Sequence, residues 1–189
     1  MYEVEMKVRA PHDQTRARLA DLDAESHGTV TQADTYYDAP HRSFAETDEA
    51  VRIRRETPAG DDATGAGTTV LTYKGPLVET ASKTRVERET GVENGEAMGV
   101  ILESLGFDPV ATVEKRREQF SLDGVTITLD TVSGLGEFVE AETEATEDER
   151  VAAREEVASL LSRLGLSEDD QIRTSYLELL LARRDSSQL

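Results

Sequence analysis

Charged residues recur two apart along several short stretches of this chain. Glu3 and Glu5 run into Lys7, Arg52 precedes Arg54, and Arg85 is followed by Glu87 and Glu89. Lys115 precedes Arg117, and Glu140, Glu142 and Glu144 form the last series. In a strand, residues two apart share a face, so each stretch presents one ionic face. The alternate positions are more apolar: Val4, Met6 and Val8, then Val51 and Ile53, then Val139 and Ala141. Asp130 lies on the face opposite Val125, Ile127 and Leu129. One such face alone reads as solvated surface. Together they separate by sign, with cations at Lys7, Arg52, Arg54, Lys74, Lys115 and Arg117 and carboxylates at Glu3, Glu5, Glu140 and Glu142. Rolled into a barrel with the ionic faces inward, these strands would make a wet tunnel with a basic wall and an acidic corner. That arrangement suits a polyphosphate and its divalent metal. Arg grips phosphate oxygens as a bidentate fork and Lys as a point charge, while carboxylates hold a hard cation, Mg²⁺ or Mn²⁺, through oxygen ligands.

The elements that would position these groups are mostly strands. Period-two alternation and flanking turn residues predict strands over 3–8, 29–37, 51–56, 69–74, 84–92, 110–122, 125–132 and 137–144. Asp123-Gly124 is a strong hairpin signal between two of them. The Gly- and Asp-rich tip over 58–67 is expected to be the least ordered stretch. Helical spacing and stop residues predict helices over 12–24, 95–105, 147–164 and 174–184. Helices at hairpin edges and at the C-terminal end indicate an α+β fold on a large antiparallel sheet or a closed barrel. No repeat or linker divides the chain, so one domain is expected over 1–184, with a disordered tail over 185–189.

Composition narrows the function classes. A chain of 189 residues can bury roughly two-thirds of its unfolded surface. Zero Cys excludes disulfide frameworks, zinc ribbons, thiolate nucleophiles and iron–sulfur clusters. No apolar run approaches the ~20 residues of a membrane span, and Met1 leads into alternating sequence without a basic and then apolar leader. A cytoplasmic protein with no membrane partner is expected. The 39 acidic residues against 21 basic ones, a net charge of −18, also argue against a nucleic-acid partner. Lys occurs only at 7, 74, 83 and 115, against seventeen Arg. A highly acidic, lysine-poor surface is what a halophilic chain presents in molar salt, where the Debye length falls to ~3 Å. In that setting each surviving Lys needs a reason, and Lys7, Lys74 and Lys115 all fall on the ionic faces.

These residues carry a resemblance. Glu3-Val-Glu-Met-Lys7 resembles the Glu-x-Glu-x-Lys opening of the CYTH superfamily, the triphosphate tunnel enzymes. Further matches follow in order: Asp34-Thr-Tyr-Tyr-Asp38, Val51-Arg-Ile-Arg54, Leu71-Thr-Tyr-Lys-Gly-Pro76, Arg85-Val-Glu-Arg-Glu89, Val113-Glu-Lys-Arg-Arg117, Leu129-Asp130 and Leu135-Gly-Glu-Phe-Val-Glu-Ala-Glu142. The Thr-Tyr-Lys-Gly-Pro and Leu-Gly-x-Phe-x-Glu-x-Glu forms are most similar to the class IV adenylate cyclase (CyaB-type) branch. The resemblance implies an eight-stranded antiparallel closed β-barrel with flanking helices, often a homodimer, that needs Mg²⁺ or Mn²⁺. It implies Glu3, Glu5, Glu140 and Glu142 as metal-binding carboxylates, with Asp130 as a further ligand or a supporting partner. Lys7, Arg52, Arg54, Lys74, Arg85, Lys115 and Arg117 would bind phosphates, and Glu5, Lys7 and Glu140 would be catalytic. The implied reaction is conversion of ATP to cyclic AMP and pyrophosphate. The same tunnel also suits an inorganic tripolyphosphatase, a thiamine-triphosphate phosphohydrolase, or a non-catalytic polyphosphate- or nucleotide-binding module.

Other chemistry is poorly represented. His12, His27 and His41 lack metal-ligand spacing and are expected to be exposed or capping. No Walker-type loop or Gly-x-Ser-x-Gly elbow occurs. Tyr36, Tyr37 and Tyr176 are expected to pack at the barrel wall, and Glu87 and Glu89 to pair with tunnel cations rather than metal.

Overall fold

The computed structural model describes residues 2–60, 65–79 and 83–186. Its strands are β1 (Tyr2–Arg9), β2 (Glu25–Asp38), β3 (Ala50–Ala59), β4 (Thr68–Glu79), β5 (Lys83–Gly91), β6 (Asp108–Leu122), β7 (Val125–Val132) and β8 (Gly136–Ala145). The helices are α1 (His12–Asp21), α2 (Phe44–Thr47), α3 (Gly95–Ser104), α4 (Arg150–Arg163) and α5 (Tyr176–Ser186), with a 3₁₀ turn at Glu168–Asp170 before α5. The eight strands close into an antiparallel barrel in the order β1-β5-β4-β3-β2-β6-β7-β8. Of the two architectures left open by the sequence pattern, the chain adopts the closed one.

Closure follows from two-faced strands. The outward side chains of β1, β7 and β8 (Met6, Val8, Ile127, Leu129, Val139 and Ala141) form the main core with Val157, Leu160 and Leu161 of α4. A smaller outer core joins Tyr37 of β2 and Ile53 of β3 to Leu102 of α3. With apolar residues committed outward, their alternates must line the barrel interior. One part of that interior is apolar: Val113, Val132 and Phe138 pack under Tyr176 of α5. The β6–β7 hairpin is built on Asp123 (φ 52°) and Gly124 (φ 83°), the paired positive angles that a two-residue turn matching strand twist requires.

Several boundaries shift for local reasons. α1 stops at Asp21, short of 24, because Asp23 turns left-handed (φ 54°) and reverses the chain. α4 starts at Arg150 rather than 147 because the Glu149 carboxylate accepts hydrogen bonds from the Thr146 amide and hydroxyl, holding that turn outside the helix. β4 runs past Gly75-Pro76 to Glu79, absorbing the pair in a register shift between Lys74 and Leu77. The short α2 has no sequence-level signal. His12 departs from the expected exposure: it is buried, and its Nε2 lies 3.0 Å from the Phe138 carbonyl. The centre of the tip over 58–67, residues 61–64, lies outside the described residues, and so do 187–189 of the expected tail; α5 itself extends to Ser186. No helix among the described residues is long and apolar enough to cross a membrane.

Candidate active site

The barrel interior holds one cavity of about 850 Å³, lined by Glu3, Glu5, Lys7, Arg52, Arg54, Lys74, Arg85, Lys115, Arg117, Glu140 and Glu142 among others. The strand registers explain the convergence. Glu5 of β1 stands opposite Glu142 of β8, and Lys7 opposite Glu140, so an acidic rung lies beside a mixed one. Arg117 of β6 pairs with Asp130 of β7, and Arg54 of β3 with Asp34 of β2.

Three carboxylates cluster. Glu3, Glu5 and Glu142 each bring an oxygen within 4.8 Å of the others. Desolvation, together with the charges of Glu3, Glu140 and Glu5, pushes Glu142 up to about 8 against the pull of Arg117. Burial also raises Glu3, with Glu87 adding to the shift and Lys74 opposing it. Such crowding is unfavourable for the chain alone and is relieved by a positive ion.

The cations are held by a second set of acids. Arg117 makes a fork onto Asp130, Nε to Oδ1 at 2.7 Å and Nη2 to Oδ2 at 2.5 Å, and Nη2 also reaches Glu140 Oε2 at 2.5 Å. Asp130 is fully buried and also accepts from the Tyr176 hydroxyl at 3.0 Å, with Lys115 Nζ at 3.6 Å. Arg54 forks onto the buried Asp34 at 2.7 and 2.8 Å, and Arg52 Nη1 approaches the same carboxylate at 3.4 Å. Burial opposes ionisation of Asp34, but the two guanidiniums outweigh it and hold the acid well below the usual carboxylate range. Lys74 lies 2.7 Å from Glu3 and 2.8 Å from Glu87; burial alone would lower its pKa, and those charges raise it instead. Lys7 sits 3.8 Å from Glu140 and 4.2 Å above the Tyr176 ring. Lys115 is pushed down to about 8 by burial and by Arg117 and Arg54, against Asp130 and Asp34. Arg85 is set apart, its guanidinium donating to the Asp48 carboxylate and to the Gly75 carbonyl.

Comparison with known proteins now places this barrel. The sequence profile of the CYTH domain matches residues 1–176. The chain belongs to the CYTH family. A protein of Methanocaldococcus jannaschii named "Putative adenylate cyclase MJ0240" is 37% identical over 95% of this chain and 98% of its own. The "Adenylate cyclase CyaB" of Aeromonas hydrophila is 29% identical over 94% of this chain and 88% of its own. The solved structure of the PH1819 protein from Pyrococcus horikoshii matches with a TM-score of 0.87 and 39% identity, covering 96% of this chain and 99% of that one.

Within this CYTH barrel, the residues singled out by alternation and resemblance come to one cavity wall, with Asp130 just behind it. Of the two roles left open for Asp130, the geometry suits the supporting one, since both of its oxygens are engaged by Arg117 and Tyr176. Glu87 pairs with Lys74 and lies 3.8 Å from Arg52. Tyr37 packs in the outer core, and Tyr36 is partly buried against the apolar cluster under α5. Sequence reasoning quoted Asp34 only as part of a family match, with no role of its own, and gave Tyr176 only a packing role. The signal for Asp34 was its place on one face with Gln32 and Tyr36, opposite a strand carrying two arginines.

Proposed function

We propose that this CYTH protein is a metal-dependent adenylate cyclase that converts ATP to cyclic AMP and pyrophosphate. The observation that carries this reading is the single cavity joining the Glu3, Glu5 and Glu142 carboxylates to a wall of buried cations. The names borne by the two curated relatives support it. The donor set fits a hard divalent ion: all its ligands are carboxylate oxygens, and the raised Glu142 is what such an ion would neutralise. Glu3, Glu5 and Glu142 would hold Mg²⁺ or Mn²⁺, with Glu140 alongside. When bound, that ion would acidify the ribose 3′-hydroxyl and offset phosphate charge.

The chain's own groups do the rest. Lys7, Lys115 and Arg117 form one bank of donors, and Arg52, Arg54, Lys74 and Arg85 a second, so a triphosphate is gripped along its length. The forks from Asp130 and Asp34 fix the planes of Arg117 and Arg54 before substrate arrives, which keeps reorganisation small. The 3′-hydroxyl gives up its proton, which leaves with the pyrophosphate, as its oxygen attacks the α-phosphorus; the bond to the bridging oxygen of the β-phosphate breaks, and the departing pyrophosphate is stabilised by the cationic wall. Lys7 and Glu140, paired and adjacent to the acidic rung, contact the reacting groups in this arrangement.

Product analysis tests the reading. ATP and tripolyphosphate are incubated separately with the protein, Mg²⁺ or Mn²⁺, and molar KCl. Cyclic AMP with stoichiometric pyrophosphate is expected. Orthophosphate without cyclic AMP would make the protein a phosphohydrolase, and binding without turnover would make it a non-catalytic module.

A further inference from the structure

We infer that Asp48 is an autoinhibitory carboxylate: it occupies Arg85, and a triphosphate must displace it to use that cation. This rests on the triphosphate reading above. Arg85 and Asp48 both line the tunnel cavity, yet the Arg85 donors are turned to the segment after α2 and to the irregular part of β4. Nη2 donates to Asp48 Oδ1 at 3.3 Å, while Nη1 donates to the Asp48 carbonyl at 3.3 Å and to the Gly75 carbonyl at 3.2 Å. Two local features of the chain build this contact. The register shift between Lys74 and Leu77 offers the Gly75 carbonyl and the Leu77 amide to groups outside the ladder, and Asp48 Oδ2 accepts from that amide at 2.8 Å. Asp48 follows the last turn of α2 in left-handed backbone (φ 55°), which aspartate tolerates better than most residues. That turn aims one carboxylate oxygen at β4 and the other at β5.

The pair is of a kind that exchanges. Arg54 forks onto Asp34 and Arg117 onto Asp130, and both of those acids are sealed from water. Breaking either fork would strand a buried charge, which is strongly unfavourable. Asp48 is 50% exposed, against 13% for Arg85, so a displaced Asp48 carboxylate regains water at little cost. A phosphate group carries more charge and can take the guanidinium as a fork, so it wins the exchange. The segment around Asp48 is held independently. Glu49 accepts both arms of the Arg42 fork at 2.8 Å and the Tyr73 hydroxyl at 2.6 Å, and the Phe44 amide donates to Asp38 Oδ1 at 2.7 Å. Displacement is therefore a local turn of one side chain, with α2 left in place. Asp48 is a standing competitor inside the site, lowering affinity for any triphosphate, and by linkage a bound triphosphate weakens the hold of Asp48 on Arg85 by the same factor. The same competition acts on pyrophosphate and returns Arg85 to Asp48 as that product leaves.

The test is a double-mutant cycle on equilibrium binding of inorganic tripolyphosphate with Ca²⁺, read by calorimetry. Asp48→Asn keeps an oxygen for the Leu77 amide and suits the left-handed backbone, so its fold is expected to hold. Asp48→Gly suits that backbone as well and removes the side chain altogether, which covers the case of an asparagine that still holds Arg85. Loss of Asp48 is expected to tighten binding about three- to fivefold, the worth of a half-exposed ion pair. Arg85→Ala is expected to weaken binding, and replacing Asp48 in that background is expected to change nothing further, because Asp48 acts through Arg85 alone. Unchanged or weaker binding in both Asp48 variants overturns the inference. An equal gain with and without Arg85 also overturns it, since the effect would then be one fewer negative charge acting at a distance. Both of those outcomes leave the triphosphate tunnel intact, whereas failure of the unaltered protein to bind tripolyphosphate overturns the tunnel reading and this inference with it.

Discussion

Lys115 is a cation whose charge its surroundings in the barrel resist. Burial beside Arg117 and Arg54 brings it to about 8, so below that pH it is an ammonium whose burial costs the fold, and the cost fades as pH rises through about 8 toward the ordinary lysine value. A triphosphate reverses the balance by supplying the missing anion. Lys115→Ala is therefore expected to weaken triphosphate binding at pH 7 by about tenfold or more. In the unaltered protein affinity should fall as pH rises through about 8, and that limb should vanish in the variant. Calorimetric titration across pH checks both, and an unchanged affinity would place Lys115 outside the binding wall. Glu140 is a different case, since it is buried and accepts from Arg117 at 2.5 Å while facing Lys7. Glu140→Gln keeps its shape and leaves Arg117 forked on Asp130, so the barrel should stay folded by circular dichroism while turnover drops at least ~100-fold. Near-normal activity would remove Glu140 from the reacting centre. At this scale the sequence was legible wherever chemistry lay in a residue's own alternation, as at Glu3, Glu5 and Lys7. It was not legible at Asp34, because what that carboxylate does depends on a register that sets it against Arg54 across β2 and β3.

The strands were readable because each has two unlike faces, and period two survives in the sequence wherever one face is ionic and the other apolar. Elements without that contrast were missed. α2 has only four residues, too few for any helical period, and β4 continues beyond a Gly-Pro pair that ordinarily marks a stop. α5 was visible as an amphipathic segment, but not its attachment. Its Tyr176 reaches into the barrel, packs edge-on against Phe138 at 5.0 Å, and donates to Asp130 at 3.0 Å. The helix is thereby tied to the carboxylate that aims Arg117. Tyr176→Phe preserves the ring, its packing and the overlying lysines, and removes only that hydrogen bond. A loss of about 1–2 kcal/mol, read as a lower denaturant midpoint at unchanged slope, is expected. Undiminished stability would show that α5 is held by packing alone.

Charge is distributed in the whole molecule so that inside and outside obey different rules. Seven cations (Lys7, Arg52, Arg54, Lys74, Arg85, Lys115 and Arg117) line the tunnel wall, most of them within ion-pair distance of acids such as Glu3, Asp34, Glu87, Asp130 and Glu140. The remaining basic residues are outnumbered by acids elsewhere, so most of the net −18 of the chain falls outside the tunnel. Interior pairs lie within contact distance and away from bulk ions, where salt screens little. Exterior carboxylates repel one another over distances that salt does control, since the Debye length grows from ~3 Å in molar salt to more than 10 Å below ~0.1 M. Dilution should therefore loosen the shell before it disturbs the tunnel. Melting in molar KCl and in about 0.05 M KCl is expected to differ by ~10 °C or more, equivalent to about 3 kcal/mol for a domain of this size. Restoring osmolality with sucrose should not recover the loss, because a neutral solute does not screen charge. A melting temperature indifferent to salt would mean that the acidic surface is already paired or spaced widely enough to be stable alone, and the lysine-poor composition would then carry no salt adaptation.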